Sequence, residues 1–439
     1  MTAPAPGAVE TVFRMESPRI IASVARIVRD VGIAEEIAQD AFVAALEQWP
    51  RTGVPDRPAA WLTAAAKNRA VDLVRRRETY ARKLAEVGRE LTEESHDPEP
   101  SGPGDIDDDL LRLIFTACHP VLSAEARIAL TLRLVGGLRT DEIARAFLVP
   151  EATVAQRIVR AKRTLATAGV EFEVPYGEER AARLGSVLDV IYLVFNEGYA
   201  ATAGDDLLRP ALCEDALRLA RVLAGLMPKE GEVHGLAALL EIQASRTAAR
   251  TGSDGRPVLL ADQNRSRWDR RLILRGFEAL GRAGESGAYG PYALQAMIAA
   301  CHAKAPAYEE TDWRTIAALY ERLAAVAPSP VVELNRAVAV SMAEGPEAGL
   351  ALVDELAEER TLAGYHLLPS VRGDLLERLG RSDEARAEFE RAASLTRNER
   401  ERELLRERAE RAERRERELL REWAERADGP GASGASGAR

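Results

Sequence analysis

The chain has 439 residues, 46% hydrophobic and 30% charged, with a formal net charge of −10. That length gives room for two to four domains with full cores, and the excess of acid excludes a protein coated in cations, though not local basic helices, whose fields are set by nearby charges. Three widely spaced cysteines exclude a disulfide framework, and Val190–Phe195, the longest strongly apolar piece, is too short to span a bilayer; with aromatics at 5% and Ala, Leu, Arg and Glu abundant, the expectation is an all-α, soluble, cytoplasmic protein.

The first residues, MTAPAPGAVE, lack the basic start and apolar run of a signal peptide. Residues 1–80 read as one helical unit. Val12–Asp30 is an apolar-periodic helix. Ala34–Trp49 is a second, with Ile37, Ala41, Ala45 and Gln48 along one line and Phe42 and Leu46 alongside. Pro50–Pro55 reads as a loop. Pro58–Arg77 is a third helix with Leu62, Ala66, Ala70 and Leu73 on its buried line. Its other face carries Lys67, Asn68, Asp72, Arg75, Arg76 and Arg77, and the 4-3 spacing puts Asn68, Asp72 and Arg75 on one stripe. Trp61 reads as a core anchor.

Residues 81–109 read as an acidic linker. From 84 to 109 there are ten acids and one base, Arg89, around the Pro/Gly-rich HDPEPSGPGD. Residues 110–170 form a second unit: Leu111–Cys118 and Ala124–Leu134 support a helix-turn-helix. Thr140 suits the N-cap of its first helix, with Asp141 and Glu142 in the first turn and Ile143, Ala144 and Phe147 as its apolar stripe. Pro150 pushes Val149 out of helical geometry and opens a second helix, where Val154, Ile158, Ala161 and Leu165 face the core. Thr153, Gln156, Arg157, Arg160, Lys162 and Arg163 lie on or beside its exposed face, with no acid between Thr153 and Leu165. Cations of this kind hold phosphates, and Gln or Arg reads base edges. An ordinary helical hairpin with a solvated basic face produces the same local pattern.

Residues 171–428 read as a further all-helical domain. Leu184–Tyr199 is a buried helix and its end. From about residue 292 a degenerate repeat appears: Ile316, Tyr320, Leu323 and Pro328 in one unit, Ala337, Ala348 and Leu352 in a shorter one, and Gly373, Ala385, Phe389 and Ala392 in a third, as in tetratricopeptide units. Asn398–Arg426 reads as a charged capping helix with a stripe at Leu405, Ala409, Ala412, Leu419 and Trp423, and residues 429–439 as a disordered tail.

Three segments carry a resemblance. AEEIAQDAFVAALEQW (Ala34–Trp49), WLTAAAKNRAVDLVRRR (Trp61–Arg77) and LRTDEIARAFLVPEATVAQRIVRAKRTL (Leu138–Leu165) are, in order and spacing, similar to the polymerase-docking, −10-reading and −35-reading segments of extracytoplasmic-function RNA polymerase sigma factors. The resemblance implies that Glu36, Gln39 and Asp40 face core RNA polymerase. It implies that Asn68 reads a −10 base while Lys67, Arg75, Arg76 and Arg77 hold phosphates. In the −35 reader, the position of Ala155 often carries a cation in relatives, which leaves Gln156, Arg157 and Arg160 as readers. IYLVFNEGY (Ile191–Tyr199), DQNRSRWDR (Asp262–Arg270) and the repeats resemble the subgroup with a tetratricopeptide-like extension. There the extension itself, or a regulatory protein bound to it, is expected to control activity.

Cys118-His119 and Cys301-His302 lack the ligand spacing of metal sites, so no metal is expected. No Gly-rich phosphate loop or catalytic constellation is evident, and neither a cofactor nor catalysis is expected. A helix-turn-helix regulator that senses a ligand and never touches polymerase is the runner-up reading; a repeat-based adaptor is a third.

Overall fold

The structure is a computed structural model and describes residues 6–87, 103–147, 149–200, 203–204, 208–252, 256–287 and 289–427. Its secondary structure among these residues is eighteen α-helices, short 3-10 turns, a two-residue parallel pairing of Ala203–Gly204 with Arg397–Asn398 and an isolated bridge. The chain divides into two compact units: Met1–Gly198 with Ala211–Pro228, and Tyr199–Pro210 with Lys229–Arg439.

In the first unit α1 (Pro6–Val28) packs against α2 (Val31–Thr52), α3 (Pro58–Val87) and α4 (Pro103–Ala117). Asp30 sets the start of α2 by accepting from the backbone N–H of Gly32 and Ile33 at 2.7 and 2.9 Å, satisfying two orphan donors. The buried line of α2 runs through Val31, Ala34, Ile37, Ala38, Ala41, Phe42, Ala45 and Trp49. Gln48 and Leu46, expected on or beside that line, are exposed: Trp49 takes the place, its ring edge-on to Trp61 at 5.7 Å. The expected loop at Pro50 begins later, because α2 runs on through Pro50 and ends at Gly53, whose φ of +86° suits glycine. In α3 Leu62, Ala66 and Ala70 are buried and Leu73 is half-buried.

The segment read as an acidic linker, residues 81–109, is instead helical at both of its ends. α3 continues to Val87, and α4 starts at Pro103, a residue suited to a first helical turn; residues 88–102 lie outside the described residues. Asp109, counted among the linker acids, is fully buried. Its carboxylate meets Arg112 Nη1 at 2.6 Å and Arg26 Nε at 3.4 Å. Burial pushes its pKa up, against the pull of the two arginines.

α5 (Ala124–Leu134), α6 (Thr140–Phe147) and α7 (Glu151–Thr167) make the helix-turn-helix unit. The cap of α6 lies one residue earlier than expected. Thr140 is already helical, and the Arg139 backbone N–H donates to Glu142 Oε2 at 2.7 Å, the return half of a capping box. α8 (Gly177–Tyr199) and α9 (Pro210–Leu226) also belong to this compact unit through Gly198 and up to Pro228, beyond the division expected at residue 171. Arg183 Nη2 donates to Phe115 O at 3.3 Å, Ser186 Oγ to Cys118 O at 2.6 Å and Arg218 Nη2 to Gly136 O at 2.7 Å. A Cβ on Gly198 would lie 2.7 Å from Cys213 N, so only glycine lets α8 and α9 approach this closely.

In the second unit α10 (Gly231–Ala244) is apolar on nearly every side and sits at the centre, against α11 (Arg270–Gly284) and α12 (Pro291–Lys304). Glu232 of α10 accepts from the N–H of Tyr292 and Ala293 and so caps α12. From α12 the helices pack in succession: α13 (Trp313–Val326), α14 (Pro330–Glu344), α15 (Pro346–Leu356), α16 (Leu367–Arg378), α17 (Ser382–Leu395) and α18 (Glu399–Ala427). This is a stack of helical pairs, as the repeats imply. Ala385, Phe389 and Ala392 are fully buried, and Gly373 leaves room for the Phe389 ring, 2.8 Å from where a Cβ would stand. In the middle unit Ala337 is buried as expected, while Ala348 and Leu352 are half-buried and the fully buried positions lie one register step on, at Gly349, Leu350 and Val353, because Gly349 must sit against Ser341 and the Ala337 carbonyl. On α18 Leu405, Ala409 and Ala412 are buried as expected. Arg408 Nη2 binds Asp374 and Glu377 at 2.6 and 2.9 Å and lies over the Phe389 ring. The side chains of Leu419 and Trp423, and the tail, lie outside the described residues.

Candidate nucleic-acid interface

Two basic helix faces lie on the first unit. On α3, Asn68, Asp72, Arg75, Arg76 and Arg77 are exposed, as the 4-3 spacing requires, while Lys67 is half-buried within electrostatic reach of Asp109. The aromatic pair Trp49–Trp61 and Leu62 hold the start of this helix, so Trp61 is an anchor.

On α7, Val154, Ile158, Ala161 and Leu165 are 1–5% exposed, the four positions given by the spacing. Gln156, Arg160 and Arg163 are exposed, and Thr153 and Arg157 are half-buried, with Arg157 in electrostatic reach of Glu125. Lys162 departs from the expectation. It lies one turn from both Ile158 and Leu165, at the edge of the buried stripe, and its ammonium meets Glu35 Oε2 of α2. Its side chain is 22% exposed and does not stand ready for a phosphate in this arrangement.

Glu35, absent from the expected site residues, is a buried acid. Its spacing from Val31, Ala38 and Phe42 placed it on the buried face, which was the signal available. Arg133 Nε of α5 donates to its Oε1 at 2.6 Å, and Gln39 Nε2 donates to the same oxygen at 2.8 Å. Arg133 Nη1 also reaches the Leu138 carbonyl, just before the helix-turn-helix. Burial alone would raise the Glu35 pKa; Lys162 and Arg133 outweigh it and hold the carboxyl below its usual range. One carboxylate of α2 thus ties together the two helical groups that carry the basic faces.

Of the residues expected to face polymerase, Glu36 and Asp40 are exposed, and Asp40 lies 3.9 Å from Arg69. Gln39 is half-buried and engaged with Glu35, because the i, i+4 spacing stacks the two. The exposed face of α2 also carries Val43 and Leu46, each 52% exposed. This acidic and apolar surface was only half legible: the acids stood out, whereas Leu46 was assigned to the core side.

The tempting Cys-His pairs have other surroundings. Cys118 Sγ lies 3.2 Å from Thr131 Oγ1, and burial pushes its thiol up to about 11. His302 stacks edge-on to Trp313 at 5.1 Å, and desolvation with Arg246 and Arg265 nearby lowers it to about 4.

Comparison with known proteins bears on what these faces are. Residues 12–80 match sigma-70 region 2, residues 112–165 match sigma-70 region 4, and residues 183–284 match a family of unknown function. An uncharacterized protein of Rhizobium meliloti (strain 1021) is 46% identical over 394 residues, which is 89% of this chain and 92% of that protein. The ECF RNA polymerase sigma factor SigL of Mycobacterium tuberculosis (strain ATCC 25618 / H37Rv) is 33% identical over 141 residues, 32% of this chain and 76% of SigL. No solved structure matches. No helix among the described residues is long and apolar enough to cross a membrane. With region 2 and region 4 in order, a sigma factor relative covered over three quarters of its length, and a helical half following them, the chain belongs to the extracytoplasmic-function family of RNA polymerase sigma factors.

Proposed function

We propose that the chain binds core RNA polymerase through the exposed face of α2 and directs it to −10 and −35 promoter elements through α3 and α7. The observation that carries the reading is the pair of basic faces, one on each sigma domain, beside an acidic and apolar α2 face. Asn68 hydrogen-bonds an unstacked −10 base, and Arg75, Arg76 and Arg77 neutralise phosphates. Gln156, Arg157 and Arg160 read the −35 major groove, with Thr153 and Arg163 on its phosphates. Lys162 joins them when its bond to Glu35 opens. The chain lowers the barrier to initiation by positioning and strand separation and carries out no covalent chemistry.

The C-terminal half controls this activity, by its own folding onto the sigma domains or through a protein bound to it. The docking of α8 and α9 on the region-4 domain, including Arg218 on the Gly136 carbonyl, supports that role. The test is run-off transcription with purified core polymerase on a library of promoter fragments. Discrete transcripts that require this chain are expected. Absence of both transcripts and core binding would overturn the reading. DNA binding without core binding would favour the regulator reading instead.

A further inference from the structure

Two motifs remain outside the sigma function: Ile191–Tyr199, of which Tyr199 lies in the second unit, and Asp262–Arg270. Tyr199 and the second motif, which brings Arg265, meet two arginines just after α10, Arg246 and Arg250. The Trp268 ring is faced by two guanidinium groups, Arg246 at 5.2 Å and Arg265 at 4.7 Å, and Arg250 lies over the Tyr199 ring at 3.7 Å. Gln243 Oε1 accepts from Tyr199 Oη at 3.1 Å and Arg246 Nη1 at 3.3 Å; Gln263 Oε1 accepts from Arg246 Nε at 3.4 Å.

Within this cluster it is Arg246 that lacks a carboxylate partner. Arg246 is 9% exposed, and its hydrogen-bond partners are two neutral amides at long distance. Glu309 and Glu310 act on Arg265, and Glu401, within reach of Arg250, is already engaged by His366 and Thr396. No carboxylate among the described residues bonds to Arg246. Arg265 spends Nη1 on the carbonyls of His302 and Ala305. Arg250 Nε, Arg265 Nη2 and Trp268 Nε1 are buried donors without an acceptor among the described residues, and His302 Nδ1 is likewise unpartnered. A buried guanidinium lacking a counter-charge is costly, as is each orphaned donor, and an oxyanion meets both demands at once. Arginine supplies the fork that phosphate and carboxylate oxygens prefer.

We propose that the Arg246–Arg250–Arg265–Trp268 cluster is a binding site for the oxyanion group, phosphate or carboxylate, of a small ligand. Arg246 provides the buried charge, Arg250 and Trp268 provide donors, and Gln243 and Gln263 orient Arg246. The site stands whether or not the C-terminal half controls transcription.

The test is calorimetric titration of the DNA-free full chain with inorganic phosphate and, separately, acetate, each against chloride at matched ionic strength. Wild type is compared with Arg246→Met and with the half-exposed Arg250→Gln, which keeps the assay readable if the first variant misfolds. Phosphate held by the basic faces of α3 and α7 is common to all three proteins and drops out of the comparison. A saturable site for either oxyanion, weakened about tenfold or more in a folded variant, is expected, and the anion that binds identifies the ligand class. Equal binding by wild type and the folded variants, or no site for either anion, would overturn the proposal.

Discussion

Arg160 and Asn68 are both exposed on helices that pack through other positions, so their side chains can change without disturbing a core. Arg160→Ala is expected to weaken promoter binding by the polymerase complex by about 1–3 kcal/mol, specifically at one −35 base pair. Equal affinity for cognate and substituted promoters in both proteins would rule that base contact out. His302 makes a second, independent case. Its folded pKa of about 4 lies below the ordinary histidine value, so the unfolded chain takes up the proton first as pH falls. Stability contributed by the neutral ring is therefore complete above about pH 6.5 and declines between there and pH 4, by a loss on the order of 1–3 kcal/mol. Thermal melts of wild type and His302→Asn over this window should converge toward acid pH; parallel curves would exclude His302 as the source.

At the scale of elements, α2 and α7 are each amphipathic alone, yet each spends one charged residue on the other. Glu35→Gln removes the charge that holds Lys162 and Arg133. Breaking one side of a buried ion pair commonly costs about 3–5 kcal/mol, so the contact between the two helical groups should loosen. Hydrogen exchange should report faster opening around α2 and α7, and a −35 duplex should bind more tightly as Lys162 becomes available. Unchanged exchange and unchanged DNA affinity would show that Glu35 does not restrain the basic face. In the second unit, Gly373→Ala places a methyl group 2.8 Å from the Phe389 ring. A destabilisation of about 1–3 kcal/mol is expected in chemical denaturation, as overpacking forces the helices apart; a neutral result would mean that the α16–α17 contact yields cheaply.

For the whole molecule, the compact division falls elsewhere than a motif reading places it. A truncation at residue 171 would strip Arg183, Ser186 and Arg218 from the carbonyls they cover and leave the region-4 core exposed. A truncation after Pro228 keeps the first unit whole. If the C-terminal half controls initiation, the longer truncate should fold and give run-off transcription measurably different from the full chain. Wild-type transcription by the folded truncate would confine any such role to α8 and α9, which it retains, and remove it from the segment after Pro228.

The residues by themselves determined the helical class, both sigma segments, and the four buried positions of α7, because apolar spacing at 3.6 residues per turn is local information. They also revealed the third repeat, where Gly373 and Phe389 need one another across a single short turn. Tertiary structure decided what local spacing leaves open. Lys162 and Arg160 look alike on a helical wheel; only the approach of α2 makes one an ion-pair partner and leaves the other exposed. Asp109 looks like one more linker acid until Arg26, more than eighty residues earlier, closes on it. Arg246 lies outside every motif, and its burial comes with Trp268 and Gln263, brought onto it by a segment about twenty residues later. Charges are placed by partners distant in sequence, and burial is a property of the assembled fold, so neither could be read from a local pattern.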